Sequence, residues 1–126
     1  MSNTTIKLYR GDDEDVIVRL FEKQQDKTRK PLDLSNIARF DLWANSGGKT
    51  VLTLSSTTGG IQVLDAAGGV IKLVIDHNLT KEATWTKADY DLQTITDTGR
   101  IKTPIQDGKI YMRLDITPTM EMDAAQ

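Results

Sequence analysis

Residues 87–96, Lys-Ala-Asp-Tyr-Asp-Leu-Gln-Thr-Ile-Thr, change character at almost every step. In an extended chain Ala88, Tyr90, Leu92 and Thr94 fall on one side, and Asp89, Asp91 and Gln93 on the other. Period 2 over a run this long marks a strand with one dry face and one wet one. Asp97-Thr98-Gly99 supplies a turn, and a shorter run, Arg100 to Ile105, follows. Asp107-Gly108 reads as another turn, leading into Lys109–Ile116, which alternates again. This stretch predicts the centre of an antiparallel sheet.

The remaining apolar runs fit around that centre. Thr4–Tyr9 predicts a strand with Ile6 and Leu8 on one face, turned by residues 10–14. Asp15–Glu22 places Val16, Val18 and Leu20 one way and Ile17, Arg19 and Phe21 the other. Gln24–Lys30 is polar and charged and reads as a mobile hairpin loop. Leu32 and Leu34 then plug the end of the core. Ala38–Ala44 puts Ala38, Phe40 and Leu42 inward and Arg39, Asp41 and Trp43 outward. Val51–Leu54, Ile61–Leu64 and Val70–Ile75 are further short strands separated by Gly-containing turns. Asn78–Ala83 predicts one helical turn, capped by Asp76 or Asn78, that crosses between two sheets. About eight short strands at this spacing predict an all-β antiparallel sandwich. It forms a single domain over residues 1–117, and residues 118–126 read as a loose tail.

Charge and composition exclude several classes of function. The 126 residues carry 16 basic and 18 acidic side chains, a net charge of −2. A nucleic-acid binder shows a basic excess or stripe, because phosphate contacts supply most of its affinity. There is no cysteine, hence no disulfide and no thiolate metal site. No apolar run approaches the roughly 20 residues that span a bilayer, and no basic amphipathic helix offers itself to a membrane surface. The opening residues do not read as a secretory signal, so the expected compartment is a cytosol.

No motif reads as a catalytic, cofactor or metal site. Arg10-Gly11-Asp12 reads as a turn, and Gly48-Lys49-Thr50 lacks the earlier glycine of a phosphate loop. Asp12–Asp15 reads as a solvated acidic turn, since consecutive residues of an extended chain point apart. His77 is the single histidine, which excludes a His-rich site, and no serine sits in a nucleophile elbow. Asp89 and Asp91 lie on a wet strand face, where charge serves solubility rather than glycosidase chemistry. Asn3-Thr4-Thr5 and Asn78-Leu79-Thr80 match the glycosylation sequon, which is idle in a cytosol. The expected protein is not an enzyme. One surface stands out: alternation turns Trp43 and Tyr111 outward, with Arg39, Asp41 and Arg113 as neighbours. Exposed aromatics flanked by charges are typical of protein–protein contact surfaces.

The order of these segments carries a resemblance. A first strand ends in Arg10-Gly11-Asp12-Asp13, then come a Val/Leu strand, Pro31-Leu32-Asp33-Leu34-Ser35, and Phe40-Asp41-Leu42-Trp43. Gly69-Val70-Ile71, Ala88-Asp89-Tyr90-Asp91-Leu92, and Asp107-Gly108-Lys109-Ile110 leading to Leu114-Asp115-Ile116-Thr117 complete it. Over residues 5–117 this is similar to the immunoglobulin-like N-terminal domain of phage baseplate upper proteins and of small phage or prophage tail-accessory proteins. The resemblance implies an immunoglobulin-like β-sandwich that joins other phage structural proteins in an oligomeric particle. It also implies a location in the host bacterium's cytoplasm during assembly and in the virion afterwards. The chain departs from the family by lacking a receptor-binding region after the sandwich, which implies a free-standing adaptor or decoration. Tyr90-x-Leu92 resembles the tyrosine corner of immunoglobulin-type domains, with leucine in place of cysteine. The alternative is a carbohydrate-binding sandwich that uses the same aromatics as sugar platforms.

Overall fold

The structure, a computed structural model, describes residues 5–22 and 30–113. In chain order the strands are β1 (Thr5–Tyr9), β2 (Glu14–Arg19), β3 (Phe21–Glu22), β4 (Lys30–Pro31), β5 (Ile37–Ser46), β6 (Lys49–Ser55), β7 (Ile61–Asp65), β8 (Val70–Ile75), β9 (Lys87–Thr96) and β10 (Ile101–Arg113). A five-stranded sheet runs β1-β10-β9-β5-β6 and a three-stranded sheet β2-β8-β7, with β3 and β4 pairing separately. The stretch that reads most clearly as a strand in sequence, residues 87–96, is the middle strand of the larger sheet. Its neighbours β5 and β10 are both antiparallel to it.

The inner faces of the two sheets meet in one hydrophobic core. Ile6, Leu8, Phe40, Leu42, Leu52, Leu54, Tyr90, Leu92, Ile110 and Met112 come from the large sheet. Val18, Ile61, Ile71, Leu73 and Ile75 come from the small one. Leu34 is buried and Leu32 packs against the same cluster, so this pair closes one end as the sequence suggests. Burying such side chains stabilises the fold by roughly 1.5–3 kcal/mol each. The strand order is that of an immunoglobulin-like sandwich, with β2, β8 and β7 in one sheet and β5, β9 and β10 in the other. The first strand joins the larger sheet by parallel pairing with the last, Thr5 opposite Lys109 and Tyr9 opposite Arg113.

Four local expectations need correction. Asp107-Gly108 does not end a strand, because β10 runs unbroken from Ile101 to Arg113. The pair forms part of a bulged arch, with register shifts on both sides of Ile105. Asp107 takes the left-handed conformation, φ 59°, that aspartate tolerates better than most residues. Second, Ala38 is exposed rather than inward, since a register shift between Ile37 and Arg39 breaks the alternation there. Third, the helical turn expected over 78–83 is a 3₁₀ turn over His77–Leu79. Asp76 caps it, Oδ2 accepting the Asn78 N–H at 3.0 Å. The buried Thr80 ends it, its N–H donating to the His77 carbonyl at 3.2 Å while its Oγ1 accepts the Gly11 N–H at 2.9 Å. It does cross from β8 in one sheet to β9 in the other. Fourth, Asp41 is buried, for the reason given below. The expected loop over 24–30 and tail over 118–126 fall outside the described residues, apart from Lys30 in β4.

Candidate interaction face

Alternation along β5, β9 and β10 lifts one row of side chains per strand onto the outer face of the large sheet. Trp43 stands opposite Asp91 on β9 and Thr53 on β6. Tyr111 stands opposite Lys87 on β9 and Lys7 on β1. Trp43 is 42 % exposed and Tyr111 43 %, high for large aromatics in a sandwich. The expected pair therefore shares a face. Two strand spacings and four residues separate them, about 17 Å, so they mark its two ends rather than a single patch.

The end around Trp43 is a shallow open depression of about 510 Å³. Asn45, Asp91 and Gln93 form its floor with Trp43, and Thr103, Gln106 and Asp107 on the arch of β10 form its wall. Asp91 holds that wall in place, its Oδ1 accepting the Asp107 N–H at 2.9 Å. Sequence reasoning misses the arch. The signal for it lies across the sheet, where Gly108 faces the buried ring of Tyr90. A Cβ on Gly108 would lie 2.6 Å from Tyr90 Cζ and closer still to Cε1. Glycine is needed here so that the ring can approach the backbone of β10 this closely.

Arg39 and Asp41 are brought together, but not as an exposed pair. Arg39 Nε lies 2.8 Å from Asp41 Oδ2, with the arginine side chain 48 % exposed and the aspartate side chain 8 %. Asp41 does point to the outer face. It is covered because residues i and i+2 on one strand face are neighbours, and the long arginine lies over the short carboxylate. Asp41 is thus a support for Arg39 rather than a contact residue.

The end around Tyr111 is basic. Lys87 Nζ sits 5.9 Å from the Tyr111 ring centroid, within cation–π range. Arg113, also exposed, follows two residues on, opposite Tyr9. Between the two ends Lys109 Nζ bridges Asp89 at 2.6 Å and Asp107 at 3.3 Å. The hydrogen bond from Lys109 holds the Asp89 carboxyl below its ordinary value. The same contact, aided by Asp107, holds the Lys109 ammonium above its own.

Away from this face, the loop before β2 and the turn after β8 bring Asp13, Asp76 and His77 within 4.8 Å of one another. All three are exposed, and each already serves the turn. Asp13 Oδ1 accepts the His77 N–H at 2.7 Å and lies 2.9 Å from His77 Nδ1, while Asp76 caps the 3₁₀ turn. The hydrogen bonds to His77 lower the Asp13 pKa, and the Asp13 hydrogen bond raises that of His77. Sequence alone does not connect Asp13 to His77, because the contact spans 64 residues.

No family model matches the sequence, and no curated protein matches it. Among solved structures the chain is similar to murine CRIg, at 15 % identity over 88 % of this chain and 92 % of that one, with a TM-score of 0.41. It is also similar to the first Ig-like domain of human CD48 antigen, at 14 % identity over 98 % and 92 % respectively, with a TM-score of 0.34.

Proposed function

We propose that this chain is a non-enzymatic structural adaptor of a phage or prophage particle, a tail or baseplate accessory that works through protein–protein contacts. The observation that carries the reading is the outer face of the five-stranded sheet. Trp43 and Tyr111 stand out from it, with Arg39, Arg113 and Lys87 beside them. Rigid aromatics supply affinity at small entropic cost, and flanking charges set register. The segment order from Arg10 to Leu114, similar to that of small phage tail-accessory proteins, gives the particle context.

The test is to purify particles from the producing bacterium and probe them for this chain. The adaptor reading expects it in the particle fraction, and expects Trp43→Ala/Tyr111→Ala to remain folded but be lost from that fraction. Absence of the wild-type chain from intact particles sinks the reading.

A second reading, carbohydrate binding, is favoured by one observation. Trp43 borders a depression that also presents the amides of Asn45, Gln93 and Gln106 and the carboxylate of Asp91, a set able to stack on and hydrogen-bond a sugar. Titration with a panel of bacterial surface glycans tests it. Saturable binding lost in Trp43→Ala supports it, and no binding by any of them removes it.

A further inference from the structure

The charge on the outer face is segregated along the strands, and this says what the face fits. One end carries Lys7, Tyr111 and Lys87 in a single row across β1, β10 and β9, with Arg113 in the row beyond. Among the strands of this sheet, no carboxylate stands in those two rows. The other end carries Trp43 with Asp91 and Asp107. Arg39 is engaged by Asp41, and the single Lys109 is shared between Asp107 and Asp89, so the carboxylates there outnumber the cations and Asp91 carries the surplus. The Asp89–Lys109 pair lies between them, close to the midpoint of the line from Trp43 to Tyr111. Rotation by a half-turn about an axis through that midpoint lays the basic Tyr111 end on the acidic Trp43 end, and does so twice.

We infer that the outer face of the five-stranded sheet pairs with the same face of a second copy of this chain, in a two-fold dimer that seats Tyr111 and Lys87 of each copy against Trp43 and Asp91 of the other. The inference rests on the adaptor reading of this face and names its first partner. A face whose two ends carry opposite charge is self-complementary in the antiparallel sense that a two-fold interface requires. Five strands about 4.8 Å apart and about nine residues long give a footprint of roughly 600 Å² per copy, after allowing for the shorter edge strands. That falls at the lower end of stable interfaces, so the dimer is sought from micromolar concentrations upward. Each copy contributes one aromatic to each half of the contact, and the Asp89–Lys109 pairs meet near the axis. The charges then decide the relative orientation, because a parallel arrangement sets Lys87 against Lys87 and Asp91 against Asp91.

The experiment is sedimentation equilibrium on the full chain from micromolar to several hundred micromolar. It is run on wild type, on Asp91→Lys, on Lys87→Glu, and on an equimolar mixture of the two variants. The inference expects a reversible wild-type dimer, weakened about tenfold or more in each variant alone, because each reversal places like charges together at both contacts. In the mixture both contacts are again opposite in sign, so the dimer returns as a heterodimer. Asp91 also holds the β10 arch, so Thr53→Lys serves as a second acidic-end variant. Thr53 is exposed beside Trp43, and this change adds a positive charge without removing a hydrogen bond of the arch. Circular dichroism confirms that each variant is folded. A wild-type monomer throughout the range overturns the inference, as does a dimer insensitive to the reversals or a mixture that fails to re-associate. Particle incorporation, scored separately on the same proteins, tells failure of the dimer from failure of the adaptor reading.

Discussion

Replacing Gly108 by alanine tests whether the arch of β10 is shaped by the ring beneath it. Tyr90 is 1 % exposed, so its ring has no room to retreat, and the new methyl would sit 2.6 Å from Cζ where ordinary contact begins near 3.4 Å. Relieving almost an ångström of overlap in a packed core costs about 2–3 kcal/mol. Melting entropy for a chain of this length converts that to a fall in Tm of about 10 °C. The intrinsic effect has the opposite sign: within a strand, alanine is preferred over glycine by roughly 0.5–1 kcal/mol. The two contributions separate in a double-mutant cycle. Gly108→Ala is measured by urea denaturation in the wild type and again in Tyr90→Leu, whose shorter side chain leaves the space free. The expected cost is about 2–3 kcal/mol in the first background and near zero, or slightly stabilising, in the second, a coupling of about 2 kcal/mol. Equal cost in the two backgrounds, or a harmless Gly108→Ala in the wild type, would refute the argument that the ring dictates the glycine.

Other consequences follow from the same geometry. Arg39→Ala removes the cation beside Asp41 but also lets water reach its carboxylate, so the loss in chemical denaturation should be only about 0.5–1 kcal/mol and should shrink with added salt; a loss above about 2 kcal/mol would show that Asp41 is covered by more than the arginine. At Asp107, whose φ is 59°, the asparagine variant should match wild-type stability within about 0.5 kcal/mol, whereas valine should cost about 1–2 kcal/mol by the same assay. The Asp13–His77 pair makes stability depend on pH in a defined window. The raised His77 pKa contributes stability that is fully present below its ordinary 6.5 and fades as pH rises through the folded value. The lowered Asp13 pKa contributes stability present above its ordinary 3.8 and lost as pH falls through the folded value. Between roughly pH 4 and 6.5 both are in force, so the Tm difference between wild type and His77→Gln should peak there; a difference flat from pH 4 to 9 would contradict the contact.

The fold was legible because its strands are half-buried, and burial on one side writes itself into sequence at period 2. Residues 87–96 show this most clearly: Ala88, Tyr90, Leu92 and Thr94 are all buried, and Asp89 and Asp91 are exposed. Legibility failed where a residue's neighbours come from other strands. The parallel seating of β1 on β10 leaves no local trace, since Ile6 and Leu8 are inward whichever strand they join. Asp107-Gly108 carries the chemistry of a tight turn, and local reasoning treats it as one. What it supplies is the same backbone freedom in a different place, positive φ for the arch and a bare Cα for the Tyr90 ring.

Asp41 shows why the candidate face was only half readable. Alternation places Arg39, Asp41 and Trp43 together on the wet side of β5, and all three do point that way. Pointing outward and being exposed are different properties, however, and a strand pattern reports only the first. Arg39 is long enough to lie over its i+2 neighbour, so the carboxylate becomes an 8 % exposed partner while the guanidinium remains half-exposed. The consequence is electrostatic. With Asp41 and Arg39 neutralising one another, the charge at the Trp43 end is set by Asp91 and Asp107, which the arch of β10 brings beside the indole. The sign of that end thus depends on a bulge that the sequence presents as a turn. A variant that straightens β10 should therefore weaken any contact made through Trp43 even with every surface side chain retained.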